Sequence, residues 1–298
     1  MTRLLITGIG GFTGRHLLQY AQARGFEIFG LGHRGDCDVE GLSKKYAVDL
    51  ADLSKLKRIA IEVKPDYVVH LAGAAFVGRP DVEAFYKTNI VGTRNLLDAL
   101  SSTECAPKGV LLASSANVYG NLRPGEISEL MEPDPANDYG VSKLAMEFVA
   151  RIFRRHLPII VTRPFNYTGV GQSSDFLIPK IIDHLRRKAP RIRLGNLDIA
   201  RDFSDVRDVV RAYVELLGNP RAVGETVNIC SGQAYKLGEI LKIAQDLACH
   251  NFQVDVDVSL IRANEIRALW GDRSKLNALL GRSEITPLPK TINWMLTS

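Results

Sequence analysis

Cysteine is sparse in this chain and scattered. Cys37, Cys105, Cys230 and Cys249 form no C-x-x-C pair, and no His/Cys cluster has the spacing of a zinc site. A disulfide scaffold and a structural zinc module are both excluded. Free thiols belong in a reducing compartment, so a cytoplasmic protein without a bound metal is expected. Long apolar runs are also missing: none reaches the roughly 20 residues a membrane-spanning helix needs, and no membrane partner is expected. Met1-Thr2-Arg3-Leu4 runs straight into a strand and a glycine turn, which is not the build of a signal peptide. Internal repeats and low-complexity segments are absent. Aromatic residues make up 7% of the chain and are not interleaved with the basic ones, so no nucleic-acid partner is expected despite a net charge of +5. Part of the basic excess sits in Arg186-Arg187-Lys188, Arg191 and Arg193, which read either as a solvated helix end and loop or as an attraction for an anionic small molecule.

What remains is an ordinary globular composition, 46% apolar and 24% charged over 298 residues, enough for one large domain or two small ones. Leu4-Leu5-Ile6-Thr7 is a short apolar run that reads as a buried parallel strand. Gly8-Ile9-Gly10-Gly11-Phe12-Thr13-Gly14 follows, then an apolar-periodic stretch with Leu17, Leu18, Tyr20 and Ala21. Strand, glycine turn and helix make the first half of a dinucleotide-binding unit, in which the backbone approaches a pyrophosphate at a helix N-terminus. The spacing Gly8-x-x-Gly11-x-x-Gly14 departs from the common G-x-G-x-x-G, and an ordinary glycine-rich turn is the alternative.

A second strand, Glu27 to Leu31, ends without the acid that usually binds the adenosine ribose; Gly32-His33-Arg34-Gly35 stands there. Arg34 suits a 2′-phosphate, so NADP(H) is preferred, with NAD(H) open and a solvated loop arginine the plainer reading. Tyr46-Ala47-Val48 is a third strand. It ends in Asp49-Leu50, where Asp49 either contacts an adenine or caps a helix starting near Leu53. Asp66 to His70 is a fourth strand, and Leu71-Ala72-Gly73-Ala74 leaves room for a cofactor over the strand ends. His70, between apolar residues, reads as a satisfied core histidine. A helical pattern from about Val82 to Leu100 holds Asn89, whose buried amide pairs with backbone or holds water. Gly109 to Ala113 is a fifth strand ending in Ser114-Ser115-Ala116-Asn117-Val118-Tyr119-Gly120. The loop from Gly125 to Asp138 should lie on the surface, and Pro158 to Thr162 is a sixth strand ending at Arg163-Pro164-Phe165-Asn166.

This alternation predicts an α/β fold with a doubly wound parallel sheet of the Rossmann type. The texture changes after Asn166. Helices over Phe176–Lys188, Leu237–Ala248 and Ser274–Leu280 are expected, with another through Leu217 that Asp205 caps, and short strands at Ile192, Thr226–Ile229 and Phe252–Val258. The domains are read as 1–165, with a returning segment near 202–232, and a smaller discontinuous α/β substrate domain over 166–298. The cleft between them suits a small ligand.

Within the helix that follows the acidic loop, Tyr139-Gly140-Val141-Ser142-Lys143 sets a phenol and an ammonium four residues apart, on one face. A neighbouring cation lowers a phenol's pKa from about 10 toward neutrality, where it can exchange a proton with an alcohol or a carbonyl. The bland alternative is a solvated helix face, just as Ser114 and Ser115 could be turn serines.

Together, the glycine turn, Ser115 before Val118-Tyr119-Gly120, Tyr139-x-x-x-Lys143 and Arg163-Pro164-Phe165-Asn166 resemble the extended short-chain dehydrogenase/reductases that act on nucleotide sugars. The run Arg163 to Gln172, Leu194 to Leu197, Arg201 to Asp208, Val227 to Gly232 and Arg262 to Glu265 is similar to the GDP-4-keto-6-deoxy-D-mannose reductases and their relatives, the GDP-mannose 4,6-dehydratases. By that resemblance Tyr139 is the catalytic acid–base, Lys143 lowers its pKa and holds the nicotinamide ribose, and Ser115 hydrogen-bonds the reacting sugar oxygen. Gly8, Gly11, Phe12, Thr13 and Gly14 would cradle the cofactor, with Arg34, Asp49, Leu50, Leu71, Ala72, Gly73 and Asn89 completing its site. Asn117, Asn166, Lys180, Arg201, Arg262 and Glu265 would meet the nucleotide sugar, interdomain salt bridging being the alternative for Arg201 and Arg262.

The dehydratases carry an acid two residues after the catalytic hydroxyl; here that position is Asn117, which takes no proton near neutral pH. Ala263 replaces a proline common in the last motif. The resemblance therefore implies a GDP-linked 4-keto-6-deoxyhexose as partner and hydride transfer to its C4 ketone, giving GDP-D-rhamnose or GDP-6-deoxytalose, in either direction. A nucleotide-sugar 4-epimerase with tightly held NAD and a non-catalytic dinucleotide-sensing protein are the alternatives. A homodimer through the helices at 82–100 and 139–156 is also implied.

Overall fold

The computed structural model describes residues 1–32, 39–74, 81–102, 106–120, 124–260 and 267–298. Elements run in the order β1 (Arg3–Thr7), α1 (Phe12–Gln22), β2 (Glu27–Gly32), β3 (Lys44–Ala47), α2 (Leu53–Val63) and β4 (Tyr67–His70). Next come α3 (Val82–Ala84), a π-helical turn (Phe85–Gly92), α4 (Thr93–Ser101), β5 (Gly109–Ala113), a single 3-10 turn (Ala116–Tyr119), β6 (Gly125–Ile127), α5 (Asp138–Phe153) and β7 (Ile159–Pro164). The remainder comprises β8 (Asn166–Thr168), α6 (Leu177–Arg186), β9 (Arg191–Leu194), β10 (Ala200–Asp205), α7 (Val206–Leu217), β11 (Thr226–Ile229), β12 (Ala234–Lys236), α8 (Leu237–Ala248), β13 (Gln253–Val256), β14 (Ala268–Gly271), α9 (Ser274–Leu280) and α10 (Leu288–Thr297).

Seven strands form one parallel sheet in the order β11-β7-β5-β4-β1-β2-β3. Alternation along each strand feeds two cores. Leu4, Ile6, Val69, Leu111, Ile160 and Val227 face the layer of α1, α7 and α9. Leu5, Val68, Val110, Leu112, Ile159 and Val161 face the layer of α2, α4 and α5. Because both faces are covered, these strands read as continuous apolar runs. The winding direction switches between β1 and β4, and the crevice at such a point is where ligands bind in this class of sheet. Thr226 to Ile229 returns to this sheet beside β7, as expected.

Other segments differ from the sequence reading. The loop after Gly125 contains β6, which pairs with β14, so part of it is held in a second sheet with β12 and β10. The long helix over residues 82–101 is interrupted by the π turn. β8 is too short to show a period and forms because Asn166–Thr168 pairs in register with Phe203–Asp205, while α10, absent from the sequence reading, buries Leu288, Thr291, Ile292 and Met295 at helical spacing. A third core unites α6, α8 and α10 through Ile181, Ile182, Ile240, Leu241 and Ile292. Among the described residues no helix is long and apolar enough to cross a membrane, and no group of His, Cys, Asp and Glu could hold a metal ion. Cys230 and Cys249 are free thiols, while Cys37 and Cys105 lie outside the described residues.

The turn between β1 and α1 leaves no space for side chains. A methyl group on Gly14 would sit 2.4 Å from the Gly8 carbonyl oxygen, a backbone atom that cannot step aside. Gly14→Ala is therefore expected to lower stability by about 2 kcal/mol or more, read as a lower denaturant midpoint at unchanged slope.

Candidate active site

Gly8 leaves β1 with φ of +70°, where glycine is unstrained, and a methyl there would lie 2.8 Å from the Ala72 nitrogen. Gly11 caps α1 without a side-chain hydrogen bond, and no acid occupies the first turn. The leading amides of α1 are left for an anion at the positive end of the helix, so the turn fits a dinucleotide pyrophosphate. Phe12 and Thr13 open the helix; Thr13 Oγ1 lies 2.9 Å from the Tyr167 hydroxyl.

The Asp49 carboxylate folds back onto the Ala51 nitrogen at 2.9 Å. The cap of α2 is Asp52, which accepts from the Lys55 nitrogen at 3.0 Å. Capping by Asp49 is thus corrected: α2 begins at Leu53, and only the residue just before it reaches those amides. Leu50 is buried and packs over Gly92.

A chain of hydrogen bonds fixes the end of β4. Thr93 donates to the Asn89 carbonyl at 2.7 Å, so its oxygen accepts from His70 Nε2 at 2.9 Å. His70 Nδ1 then accepts from Thr7 at 2.7 Å, and Thr7 accepts from the Ala72 nitrogen at 3.0 Å. Burial, with the Lys143 charge adding to it, drives the His70 pKa down to about 3. The imidazole is neutral and saturated, a core residue rather than a catalyst. Asn89, fully buried in the π turn, exchanges two hydrogen bonds with the Ala74 backbone and donates to Ser142 Oγ at 2.9 Å. Leu71, Ala72 and Gly73 lie beside this network. A methyl on Gly73 would meet Asn89 Oδ1 at 2.9 Å and Lys143 Nζ at 3.2 Å.

α5 starts where Asn137 accepts from the Gly140 nitrogen at 2.9 Å. Gly140 matters because a methyl there would stand 2.6 Å from the Asn117 carbonyl oxygen; its absence lets α5 close against the loop after β5. Tyr139 then reaches Ser115. The Ser115 oxygen accepts from both the backbone nitrogen (3.1 Å) and the side-chain Nδ2 (3.0 Å) of Asn117. With both lone pairs engaged, Ser115 donates its one proton to the Tyr139 hydroxyl. Asn117 is exposed, and its amide orients Ser115.

Tyr139 and Lys143 share one face of α5, as the spacing requires. The expected lowering of the phenol's pKa by Lys143 is not what the structure has. Burial pushes Tyr139 up to about 12, with Ser115 acting in the opposite direction. The Lys143 ammonium donates instead to the Ala113 carbonyl at 2.8 Å. Burial brings its own pKa down to about 8, against the opposing pull of Glu147. Desolvation dominates for both groups.

On the other side of the cleft, Asn166 is exposed on β8 and donates to the Asp202 carbonyl at 3.1 Å. Arg201 lies on the adjoining β10 and donates to the Ala200 carbonyl at 2.9 Å. Lys180, on α6, donates to the Arg193 carbonyl at 3.2 Å. Arg34, Arg262 and Glu265 lie outside the described residues.

A family model described as GDP-mannose 4,6 dehydratase matches residues 5–295. The chain belongs to this family. It is 34% identical over 284 residues (94% of this chain, 91% of the relative) to GDP-6-deoxy-D-talose 4-dehydrogenase from Aggregatibacter actinomycetemcomitans. To GDP-6-deoxy-D-mannose reductase from Pseudomonas aeruginosa it is 33% identical over 298 residues (95% and 93%). Its fold is similar to that of RMD from Pseudomonas aeruginosa complexed with NADPH, with a TM-score of 0.87, 31% identity and coverage of 100% and 98%. A Burkholderia cenocepacia structure provisionally named an epimerase gives a TM-score of 0.94 at 45% identity, covering 99% and 97%. The chain is an NAD(P)-dependent enzyme of nucleotide sugars, of the extended short-chain dehydrogenase/reductase type.

Several residues that support the site in this dehydratase-family chain escape sequence reasoning. Glu147, one further turn along the Tyr139–Lys143 face, is 3% exposed and accepts from Ser114 at 2.6 Å and from Arg163 at 2.9 and 2.7 Å. Asp202 is fully buried and accepts from Ser231 (nitrogen and hydroxyl), Gly232 and Gly271. The spacing of Glu147 from Lys143 was a usable signal; Asp202 offered none.

The Lys143 shift has a pH signature. Its folded pKa of about 8 lies below the ordinary lysine value of 10.5, so between these values the unfolded chain holds the extra proton and stability rises with pH. Lys143→Met should stabilise the cofactor-free protein at pH 7, and its advantage over wild type should shrink by about 2 kcal/mol by pH 9.5. Paired denaturant titrations at the two pH values check this; an advantage independent of pH contradicts it.

Proposed function

We propose that this chain reduces the C4 ketone of GDP-4-keto-6-deoxy-D-mannose with NAD(P)H, giving GDP-D-rhamnose or its C4 epimer GDP-6-deoxytalose, and that the reaction is reversible. The observation that carries this reading is Asn117. A dehydratase of this family needs a base two residues past the catalytic hydroxyl to remove the C5 proton; this chain has an amide there, committed as a donor to Ser115. Dehydration lacks its base, while the groups for carbonyl reduction are complete. The activities named for the two curated relatives, both at GDP-6-deoxyhexoses, support the same reading.

A reduced nicotinamide cofactor held by the glycine-turn residues and Lys143 would supply the hydride. Gly8, Gly11, Phe12, Thr13 and Gly14 would hold its diphosphate, with Asp49, Leu50, Leu71, Ala72, Gly73 and Asn89 around it. Arg34, from its sequence position, would favour NADP(H) over NAD(H). With a pKa near 12 the Tyr139 hydroxyl keeps its proton at neutral pH and serves as the acid toward the developing alkoxide at C4. Ser115, whose single proton goes to the Tyr139 hydroxyl in the free protein, would turn it to the same sugar oxygen, a bond that strengthens as charge develops. Asn166, Lys180, Arg201, Arg262 and Glu265 are read as the grip on the nucleotide diphosphate and sugar. Labour would divide between residues 1–165, with the returning 202–232 segment, and 166–298. The free thiols and reduced cofactor fit a cytoplasmic enzyme.

The chain is also read as a homodimer. Residues 82–101 and α5 expose Val82, Val91, Val141, Phe148 and Ile152, a set suited to burial against the same helices of a second copy. Phe148→Glu together with Ile152→Glu should convert a dimeric mass in light scattering to a monomeric one; a monomeric wild type contradicts the reading.

Loss of NAD(P)H absorbance on adding freshly generated GDP-4-keto-6-deoxy-D-mannose tests the activity. Tyr139→Phe should lower kcat by about 10³ and Ser115→Ala by about 10². The faster of NADPH and NADH reports on Arg34. Interconversion of a GDP- or UDP-hexose at C4 with no net oxidation of cofactor would instead establish the 4-epimerase.

A further inference from the structure

Tyr167 joins the β8 side of the cleft to the start of α1. It sits on β8 directly after Asn166, and strand alternation turns the two side chains in opposite directions. Asn166 is exposed beside Asp202. Tyr167 instead lies along the start of α1. Its ring stacks on Phe12, with centroids 6.1 Å apart and planes 13° from parallel. Its hydroxyl meets Thr13 Oγ1 at 2.9 Å. An adjacent contact clamps the same segment onto the same helix, His16 Nε2 donating to the Val170 carbonyl at 2.8 Å, and His16 also packs edge-on against Trp294 of α10. The clamp is built, with two ring contacts and two hydrogen bonds on one turn of helix.

The Thr13–Tyr167 bond can run either way in the free protein. A diphosphate oxygen only accepts, so a Thr13 hydroxyl that serves it must donate its single proton there. Its oxygen then has only an acceptor role left toward Tyr167, and the phenol must be the donor. A donor behind a hydroxyl polarises it and strengthens the bond it makes ahead. We infer that Tyr167 is a positioning residue of the cofactor site, supplied by the substrate-binding half of the chain, which orients the Thr13 hydroxyl toward the cofactor diphosphate. The inference rests on reading Thr13 as a cofactor residue.

The test is a double-mutant cycle on dissociation constants measured in the absence of catalysis. NADPH is titrated by its fluorescence and GDP by calorimetry, for wild type, Tyr167→Phe, Thr13→Val and the double variant, with Thr13→Ser as the hydroxyl-retaining control. Tyr167→Phe keeps the ring on Phe12, so the cofactor-free melting temperature should stay near wild type. Each single variant should raise the NADPH Kd by about fivefold, and the double variant should be no worse than the weaker-binding single. Thr13→Ser should stay near wild type, and GDP affinity should not move. A Tyr167→Phe variant with unchanged NADPH Kd beside a weakened Thr13→Val overturns the role of Tyr167 alone. Unchanged NADPH binding in both overturns the reading of Thr13 as well. Additive losses, or equal losses in NADPH and GDP affinity with a lowered melting temperature, identify a merely structural contact and also overturn the inference.

Discussion

The carboxylate of Glu147 is the joint on which the active centre depends. It is nearly inaccessible to water, yet it accepts from Ser114 at the end of β5 and from two nitrogens of Arg163 at the end of β7, while standing one helical turn from Lys143 on α5. A buried carboxylate is costly unless several donors surround it. Here the donors come from two strands, while the carboxylate itself belongs to α5, so satisfying the charge also fixes these three elements relative to one another. Ser115 follows Ser114, and Tyr139 and Lys143 precede Glu147 along one helical face. The geometry of the proton-donating pair is therefore set from behind. Arg163 also lies over the Tyr119 ring, 4.8 Å from its centroid, and Tyr119 donates to Asn228 on β11 at 2.7 Å. The ion pair thus reaches from the helix layer to the edge of the sheet.

A second, uncharged network does the same for the cofactor side. The sequence Ala72, Thr7, His70, Thr93, Asn89 is a row of donors and acceptors in which each proton has one destination. A histidine is useful there because a neutral ring can accept at one nitrogen and donate at the other. The row locks the ends of β1 and β4 to the π turn, where Asn89 meets both the Ala74 backbone and Ser142 of α5. Networks of this kind tolerate little slack, since an unpaired member would be buried without a partner. Glycines at 8, 14, 73 and 140 make the approach of these pieces possible, each at a point where a methyl would strike a neighbouring atom.

Much of the main sheet was legible in the sequence because a parallel strand covered on both faces must be apolar throughout. The runs at Leu4, Glu27, Asp66, Gly109 and Pro158 could scarcely be anything else once separated by helical periods. The short strands β6, β8, β12 and β14 were not legible. They have three or four residues each, and their partners, not their own sequences, hold them extended. The π turn around Asn89 was hidden for a related reason: an inserted residue shifts the helical period without breaking it. Glu147 shows in the sequence only its i+4 spacing from Lys143; that Arg163 and Ser114 close over it is not written there.

The sequence by itself determined which groups are available and their local order: a glycine turn between strand and helix, a hydroxyl at the end of the fifth strand, and a phenol and an amine on one helical face. Those features depend on neighbours within a turn or two, so spacing alone carries them. Tertiary structure decided how the groups behave. Burial, not the nearby ammonium, sets the Tyr139 pKa. Asn117 becomes the partner of Ser115, and Thr13 meets a tyrosine 154 residues away. Proton affinities and pairings of this sort follow from desolvation and from which distant atoms arrive within about 3 Å, and neither quantity is written in the local order of residues.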